Sequence, residues 1–392
     1  MSDARSVPSG ALPLSLDLVS SFRPAKVFHE FVQPDCQVTS VDYDDRGELC
    51  VTASNDETIQ LYNCRAGRYV FLNLSSHIKT LYSKKYGVHL ARFTHRSSAI
   101  IYASTKEDGT CEAHTDTIRY HSLHDNKYLQ YFRGHKNRVV SLEMSPVDDT
   151  FLSGAVDDAV RFWDLRSPEA QGQLRVRGHP VVAYDPTGAV FAIALNERNT
   201  ILLYDVRKFD YDPFLSITID DTAALSQISM PPRIPVATSL SFNQSGQFIL
   251  VGTAGDVHYI VDSFSGKLLW RLVGHVGLEQ ASGRGMGMVP QAGISGQEVC
   301  WSPDGRMVIS GMSRADTGST NGQLCVWALP ESTPDTTATL RPSALLNGHE
   351  GPSRVVAFNP KCARTSPAFD TEFCTASGQV ALWLPDLEGL TE

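Results

Sequence analysis

Short runs of alternating apolar and polar residues, separated by turn-forming residues, recur along most of the chain. The clearest stretch runs from Gly134-His135 to Trp163-Asp164 and contains two such runs, from Val139 to Met144 and from Thr150 to Gly154. Alternation with a period of two residues is typical of β-strands that bury one face. The pattern therefore predicts an all-β chain of short strands joined by tight turns.

A strand-like heptapeptide near the end of this stretch occurs seven times along the chain. The copies are ETIQLYN, DTIRYHS, DAVRFWD, NTILLYD, DVHYIVD, GQLCVWA and GQVALWL. The position of the tryptophan in the third copy is occupied in turn by Tyr62, His121, Trp163, Tyr204, Val261, Trp327 and Trp383. A Gly-His start, a Trp-Asp end and a repeat of about 40–45 residues are typical of WD40 repeats. The sequence thus predicts a seven-bladed WD40 β-propeller.

The propeller is predicted to span residues 14–387, with a disordered tail at 1–13 and a second tail at 388–392. Insertions lengthen several repeats. They lie near 104–116, 219–235, 276–296 and 311–342. Their many turn-forming residues predict mobile loops, which are uncommon in compact domains unless they are functional or disordered.

Closure of the ring is predicted to use the N-terminal part of the chain. The last blade ends at Leu384-Pro385 without a fourth strand, whereas the strand-like segment Phe22–Phe28 has no blade of its own. A bare edge strand exposes unpaired backbone groups. We therefore expect the N-terminal segment to supply the outer strand of the last blade.

Four polar residues of the third blade are predicted to form a buried hydrogen-bonded relay: His135, Ser153, Asp157 and Trp163. Each member would satisfy another, whereas an unpaired buried polar group costs roughly 1–3 kcal/mol. A Ser/His/Asp catalytic triad is the alternative interpretation, but WD40 repeats place these residues inside a blade rather than at a pocket. We therefore expect a structural relay and no catalytic residue.

Composition narrows the possible partners and compartment. The net charge of −9 argues against a general nucleic-acid-binding protein, which carries a basic excess. The eight cysteines form no C-x-x-C pair and mostly lie singly in apolar strands, which favours a reducing compartment. The N-terminus lacks the pattern of a signal peptide, and no run reaches the roughly 18 apolar residues of a membrane span. We expect neither a membrane nor a specific nucleic acid as a direct partner.

Two further motifs have a chemical alternative. The glycine-rich stretch from Ser282 to Gly287 resembles a phosphate-binding loop, but it does not follow a strand and open a helix. Four residues have a spacing that could supply zinc ligands: Cys111, His114, His121 and His124. Because His121 aligns with the tryptophan position of its blade, we expect it inside a strand. We predict no cofactor and no metal, with zinc as the alternative.

A cationic patch is the best candidate for a binding site. Its residues lie on the loops that lead into the innermost strands of blades two and three: Tyr82, Lys84, Lys85, Tyr86, Lys136 and Arg138. Such loops form the top face of a propeller, around its central channel. The four cations could converge on the phosphate of a phosphorylated peptide through charge-assisted hydrogen bonds. The alternative is a solvated charged surface.

Several segments go beyond the general repeat. They are SFRPAKVF (21–28), YSKKYGV (82–88), SLHDNKY (122–128), GHKNRVVSLEMSPVDDTF (134–151), WDLRSP (163–168) and ALWLP (381–385). Together they resemble the WD-repeat subunit two of COMPASS and of the cleavage and polyadenylation factor, the fungal counterpart of WD-repeat-containing protein 82.

This resemblance implies a non-catalytic nuclear scaffold. Its partners would be the methyltransferase catalytic subunit of COMPASS, which methylates lysine four of histone three, and the scaffold subunit of the phosphatase module in the polyadenylation factor. The family is also linked to the phosphorylated tail of RNA polymerase II. Such a protein would couple transcription to chromatin marking, termination and mRNA 3′-end processing. The alternative is another adaptor role, such as that of a ubiquitin-ligase substrate receptor.

Overall fold

A computed structural model gives the fold of residues 14–29, 32–33, 36–64, 76–106, 117–157, 159–226, 234–277, 297–311, 321–350, 353–360 and 372–386. The predictions for the two tails, for the glycine-rich stretch, for Cys111 and His114, and for most of the insertions concern residues outside these ranges.

The described chain begins with a one-turn helix, α1 (Leu16–Ser20), followed by strand β1 (Phe22–Phe28). The hydroxyl oxygen of Ser15 caps the helix by accepting the Leu18 N–H at 3.2 Å. Leu18 and Val19 are buried, so the helix is fastened to the body of the protein by its apolar face.

Seven sheets follow one another along the described chain as the blades of a propeller. Blade one contains β2 (Val38–Tyr43), β3 (Leu49–Ser54), β4 (Thr58–Asn63) and β5 (Ser76–Tyr82). Blade two contains β6 (His89–Phe93), β7 (Ala99–Ala103), β8 (Ile118–Ser122) and β9 (Lys127–Phe132). Blade three contains β10 (Val139–Met144), β11 (Thr150–Ala155), β12 (Ala159–Asp164) and β13 (Gly172–Arg175). Blade four contains β14 (Val181–Tyr184), β15 (Val190–Leu195), β16 (Thr200–Asp205) and β17 (Leu215–Thr218), with a 3-10 turn at Val206–Lys208 and a short helix, α2 (Thr222–Leu225), after β17.

Blades five to seven complete the ring. Blade five contains β18 (Ala237–Phe242), β19 (Phe248–Thr253), β20 (Val257–Asp262) and β21 (Leu268–Val273). Blade six contains β22 (Val299–Trp301), β23 (Met307–Gly311), β24 (Asn321–Ala328) and β26 (Ala344–Glu350); along the chain, β25 (Ala338–Leu340) lies between β24 and β26. Blade seven contains β27 (Val355–Phe358), β28 (Phe373–Ala376) and β29 (Val380–Pro385). All seven heptapeptides fall on the third strand of a blade, which confirms the prediction of a seven-bladed all-β propeller.

Tight turns between the first two strands set the register of four blades. Each turn has a polar cap residue followed three positions later by a glycine at positive φ: Asp44 and Gly47, Asp185 and Gly188, Asn243 and Gly246, Ser302 and Gly305. The cap side chain accepts the N–H that starts the second strand, as Asp44 does from Leu49 at 2.8 Å. Glycine fits because it adopts positive φ without steric cost.

The ring closes as predicted. β1 is the outer strand of blade seven and pairs antiparallel with β29, from Phe22 opposite Pro385 to Phe28 opposite Val380. The Phe22 ring is fully buried and lies 5.2 Å from the ring of Phe373, which in turn stacks on Trp383 at 5.4 Å. The first strand therefore contributes core packing as well as backbone hydrogen bonds to the last blade.

The apolar core is divided into seven clusters, one between each pair of neighbouring blades. The cluster between blades seven and one, for example, contains Val41 and Cys50 from one side and Val355 and Cys374 from the other. Each blade therefore buries both of its faces, and each face requires a neighbour.

Two of the insertions contain ordered structure that was predicted as mobile loop. Residues 338–340 form β25, which pairs in parallel with β21 as a fifth strand on blade five. In the 219–235 insertion, Asp221 precedes α2 and accepts a hydrogen bond from Tyr259 Oη at 3.2 Å, and its other oxygen pairs with Arg271. The sequence pattern missed both because each segment is stabilised by partners distant along the chain.

The closure predicts a sharp difference between two truncations. Deletion of residues 1–28 removes β1 and should leave β29 as a bare edge with Phe373 and Trp383 exposed. We expect loss of the soluble monomer, measured by size-exclusion chromatography and thermal unfolding. Deletion of residues 1–13, which leaves α1 and β1 in place, is the matched control and should unfold like the full chain. A soluble, monomeric protein lacking residues 1–28 would contradict the proposed role of β1.

Candidate functional site

The structure brings the four relay residues of blade three together. The indole N–H of Trp163 donates to the Ser153 hydroxyl oxygen at 2.8 Å, and that hydroxyl lies 2.6 Å from His135 Nε2. His135 Nδ1 lies 3.2 Å from Asp157, whose second carboxylate oxygen accepts the backbone N–H of Lys136 at 2.8 Å. Burial opposes ionisation of Asp157, but these hydrogen bonds hold its pKa below its usual range.

This arrangement is closed to a substrate. The Ser153 side chain is fully buried between His135 and Trp163, so no carbonyl group can approach its hydroxyl. A nucleophilic serine needs an open position beside an oxyanion site. In blade three the same residue types instead satisfy one another inside the sheet.

Blades five to seven use other partners for their buried tryptophan and histidine side chains. Trp383 Nε1 donates to the Thr375 hydroxyl at 2.8 Å in blade seven, whereas Trp327 Nε1 of blade six donates to the Val273 carbonyl of blade five at 3.1 Å. Between blades five and six, His258 Nε2 lies 3.0 Å from the Ser310 hydroxyl. The relay is therefore complete only where the sequence supplies all of its members.

The cationic patch separates into small groups in the structure. The ammonium of Lys84 lies over the ring of Tyr82, 5.4 Å from its centroid, and that of Lys85 lies over the ring of Tyr86 at 5.0 Å. Tyr82 is 63% exposed and both lysines are exposed. Lys106 bonds the Lys84 carbonyl and pairs with Glu57 at 2.8 Å, which anchors this loop to the turn between β3 and β4.

On the neighbouring loop, the Lys136 side chain is exposed and that of Arg138 is half-buried. The backbone of this loop is fixed by hydrogen bonds from Lys136 N–H to Asp157 at 2.8 Å and from Val156 N–H to the Arg138 carbonyl at 2.9 Å. Arg138 also helps to lower the pKa of His89, to about 3, where burial is the main cause. The Arg138 guanidinium therefore lies towards blade two.

An aromatic cluster around Arg119 was missed by the sequence analysis. The Arg119 guanidinium lies 3.7 Å from the centroid of the Tyr86 ring and 5.8 Å from that of Tyr131, and its side chain is 1% exposed. Tyr128 joins the cluster, with ring centroids 6.0 Å from Tyr86 and 5.4 Å from Tyr131. Arg119 thus fixes Tyr86, the last aromatic residue of the predicted patch, against blade two.

A second group of charges lines the central channel. Gln297, just before blade six, accepts hydrogen bonds from the Val41 N–H of blade one and from Arg92 Nη1 of blade two, both at 3.2 Å. Arg92 Nε also lies 3.6 Å from Glu143 of blade three, whose side chain is 40% exposed. One amide side chain therefore links blade six to blades one and two, which are not its neighbours.

Two channel carboxyl groups are strongly perturbed. Burial raises the pKa of Asp42 to about 7, although Arg92 and the Phe93 N–H oppose it. Burial likewise raises the pKa of Glu298 to about 7; one of its oxygens accepts from the Thr238 hydroxyl at 2.7 Å, and the other has no hydrogen-bond partner among the described residues. The ionised form of each group is therefore costly in the folded state.

The structure places the two described histidines of the zinc alternative, His121 and His124, in different surroundings. His121 lies in β8, stacked on Tyr128 at 5.0 Å and 3.1 Å from Asn126 Oδ1. His124 lies in an exposed turn beside Asp125. Within the described ranges, no group of three or more His, Cys, Asp or Glu side chains is placed to hold a metal ion.

The helices in the same ranges are too short to cross a membrane.

The repeats and the ring define the class of this protein. Residues 25–63 and 126–164 match the family model of the WD domain, G-beta repeat. Together with the seven blades, this match makes the chain a WD40 β-propeller.

Similarity to curated proteins narrows the family. The chain is 37% identical over 372 residues to WD repeat-containing protein 82 of Drosophila melanogaster, covering 95% of this chain and 96% of that protein. It is 38% identical over 320 residues to the Set1 complex component swd2 of Schizosaccharomyces pombe (81% and 78%), and 33% identical over 356 residues to the COMPASS component SWD2 of Saccharomyces cerevisiae (90% and 93%). The chain belongs to the family of Swd2 and WD repeat-containing protein 82.

The relay predicts a measurable loss of stability when its central member is removed. Ser153→Ala should remove the hydroxyl that accepts the Trp163 N–H and lies beside His135 Nε2, at a cost of about 1–3 kcal/mol in the free energy of unfolding. Denaturant titration of the full chain measures it. Ser216→Ala, at an exposed position of β17, is the control and should change stability by less than about 0.5 kcal/mol. Equal stability of the two variants would reject the relay as a stabilising unit.

The raised pKa of Glu298 predicts a pH dependence. Between pH 4.5 and about 7 the folded state holds a proton that the unfolded state releases, so this group reduces stability as pH rises through that window. Glu298→Gln removes this effect. The difference in the free energy of unfolding between the variant and the wild type should therefore shift in favour of the variant from pH 5 to pH 8, by on the order of 2 kcal/mol. Unfolding titrations at both values measure it.

The control for this experiment is Glu169→Gln, which removes an exposed carboxylate. Its stability difference from the wild type should be the same at both pH values. A Glu298→Gln variant whose difference also stays constant would show that this carboxyl group ionises without penalty in the folded protein.

Proposed function

We propose that this chain is a non-catalytic scaffold subunit of nuclear complexes. One is a histone-three lysine-four methyltransferase complex of the Set1/COMPASS kind, and the other is the mRNA cleavage and polyadenylation factor with its phosphatase module. The observation that carries the proposal is similarity along almost the whole ring to proteins named as components of the Set1 complex and COMPASS. In this role the chain couples transcription by RNA polymerase II to chromatin marking, termination and 3′-end processing.

A closed ring suits such a role physically. Seven inter-blade cores and the hydrogen bonds of Gln297 hold the blades in fixed relative positions. Partners then meet a rigid surface, which reduces the conformational entropy lost on binding. Loops and sheet edges of this kind bind linear segments of several partners.

Within this proposal, the cationic patch binds the phosphorylated tail of RNA polymerase II. Lys84, Lys85 and Lys136 carry the exposed charges on the two top-face loops, and Tyr82 and Tyr86 flank the two lysines of the first loop. Charge-assisted hydrogen bonds to phosphate are about twice as strong as neutral ones. The support is the exposure of these ammonium groups on loops whose backbones are fixed.

Affinity purification of the full chain from its own cells, followed by mass spectrometry, tests both parts. We expect the wild type to retain a Set1-type methyltransferase and the phosphatase-module scaffold subunit, together with phosphorylated polymerase. Charge reversal by Lys84→Glu and Lys136→Glu should keep the complex subunits and lose most of the polymerase, because the phosphate would meet like charges.

The matched control reverses two exposed lysines elsewhere, Lys208→Glu and Lys267→Glu, and should behave as the wild type. Recovery of a cullin adaptor in place of methyltransferase and polyadenylation subunits would favour the ubiquitin-ligase alternative. Polymerase retained by the Lys84/Lys136 variant would reject the patch while leaving the scaffold role intact.

A further inference from the structure

Exposed large apolar side chains recur on the outer strands of two neighbouring blades. Four of the nine in the described chain lie on the outer strands of blades one and two: Ile78 and Tyr82 on β5, Leu129 and Tyr131 on β9. On β9, Leu129 is 49% and Tyr131 36% exposed. The outer strands of blades three and four expose polar residues instead, such as Gln173 and Ser216. Leu129 and Tyr131 are two positions apart on β9 and therefore lie on the same face of the strand. Exposed apolar side chains that lie together mark interaction sites.

Basic residues flank this apolar strand at both ends. Lys127 begins β9 and Arg133 follows it, and both are exposed. Five residues of the strand lie between them, so the two positions are roughly 20 Å apart. The Arg133 guanidinium lies 5.8 Å from the Tyr131 ring. Cations this far apart cannot share one phosphate group, but they suit carboxylates distributed along an extended segment.

A third cation lies directly beneath. Arg119 is opposite Tyr131 in the pairing of β8 with β9. Its Nε has no hydrogen-bond partner among the described residues, and the rings of Tyr86 and Tyr131 lie 3.7 Å and 5.8 Å from its guanidinium. Among the described residues its guanidinium packs on aromatic rings, and its positive charge adds to those of Lys127 and Arg133. Because the whole chain has a net charge of −9, this concentration of cations is local to blade two.

The ring already accepts a fifth strand at another blade. β25 pairs in parallel with the outer strand of blade five, from Ala338 opposite Trp270 to Leu340 opposite Leu272. The Thr337 hydroxyl secures its start by donating to the Leu268 carbonyl at 2.9 Å. In blade two, β9 is the last strand of its sheet within the described residues, so its outer edge is available for the same kind of pairing.

We propose that the outer edge of blade two binds an extended acidic segment of a partner protein as a fifth strand. Its carboxylates meet Lys127 and Arg133 at the two ends of β9. Its apolar side chains pack on Leu129 and Tyr131, and its backbone pairs with the free edge of the strand. The inference deepens the scaffold role, on which it rests, by naming a docking surface outside the top-face patch.

Peptide selection tests this surface. Random twelve-residue peptides displayed on phage are selected on the full-length chain. Labelled copies of the selected peptides are then titrated by fluorescence anisotropy. We expect Asp and Glu alternating with apolar residues, and affinity that falls with added salt as surface charges are screened. Leu129→Glu with Arg133→Glu should weaken binding by about tenfold or more, because it adds like charge at the site.

The matched control is Gln173→Glu with Arg175→Glu on β13, the outer strand of blade three, which should bind within about twofold of the wild type. Arg133→Glu alone serves as a second variant if the double variant fails to fold. Selected peptides without an acidic excess, or undiminished binding to the blade-two variants, would each overturn the proposal. None of these results would affect co-purification of the methyltransferase, so failure here is distinguishable from failure of the scaffold role.

Discussion

The structure depends on the requirement that every blade bury both of its faces. The described apolar residues form seven clusters, each shared by two neighbouring blades. An open row of blades would leave two large apolar faces and one sheet edge in water. The pairing of β1 with β29 removes that edge, and Val41 and Val355 pack across the seam between the first and last blades. Local strand pairing becomes a stable fold only when the two ends of the chain meet.

Burial on both faces also limits where polar groups can lie. Inside a blade they must bond to one another, as Ser153 does with His135 and Trp163. Where a blade lacks one member, a neighbour supplies the partner: His258 of blade five reaches the Ser310 hydroxyl of blade six. At the tryptophan position of blade five, Val261 is fully buried and has no side-chain donor, so no relay partner is needed there.

Much of the fold could be predicted from the sequence because its causes are local or periodic. Period-two alternation located the third strands, and the missing fourth strand of blade seven pointed to Phe22–Phe28. The packing of Tyr86 on Arg119 could not be predicted, because it joins a loop to a strand more than thirty residues later with no motif at either position. The same holds for β25, whose partner strand belongs to a different blade. The sequence placed Lys84 and Lys136 on two loops that lead into neighbouring blades, but it gave no information on how these loops face each other.

These constraints determine where partner recognition can evolve. Residues that the ring requires, such as Trp163 and Phe22, are buried and invisible to a partner. Gln297, just before blade six, accepts hydrogen bonds from blades one and two, so its amide group is also used within the ring. The top-face loops and the outer edges of the blades do not form the packing between blades. Substitutions there, as at Lys84 or Leu129, alter charge and apolar exposure without disturbing an inter-blade core, and this freedom lets one rigid ring carry several independent docking surfaces.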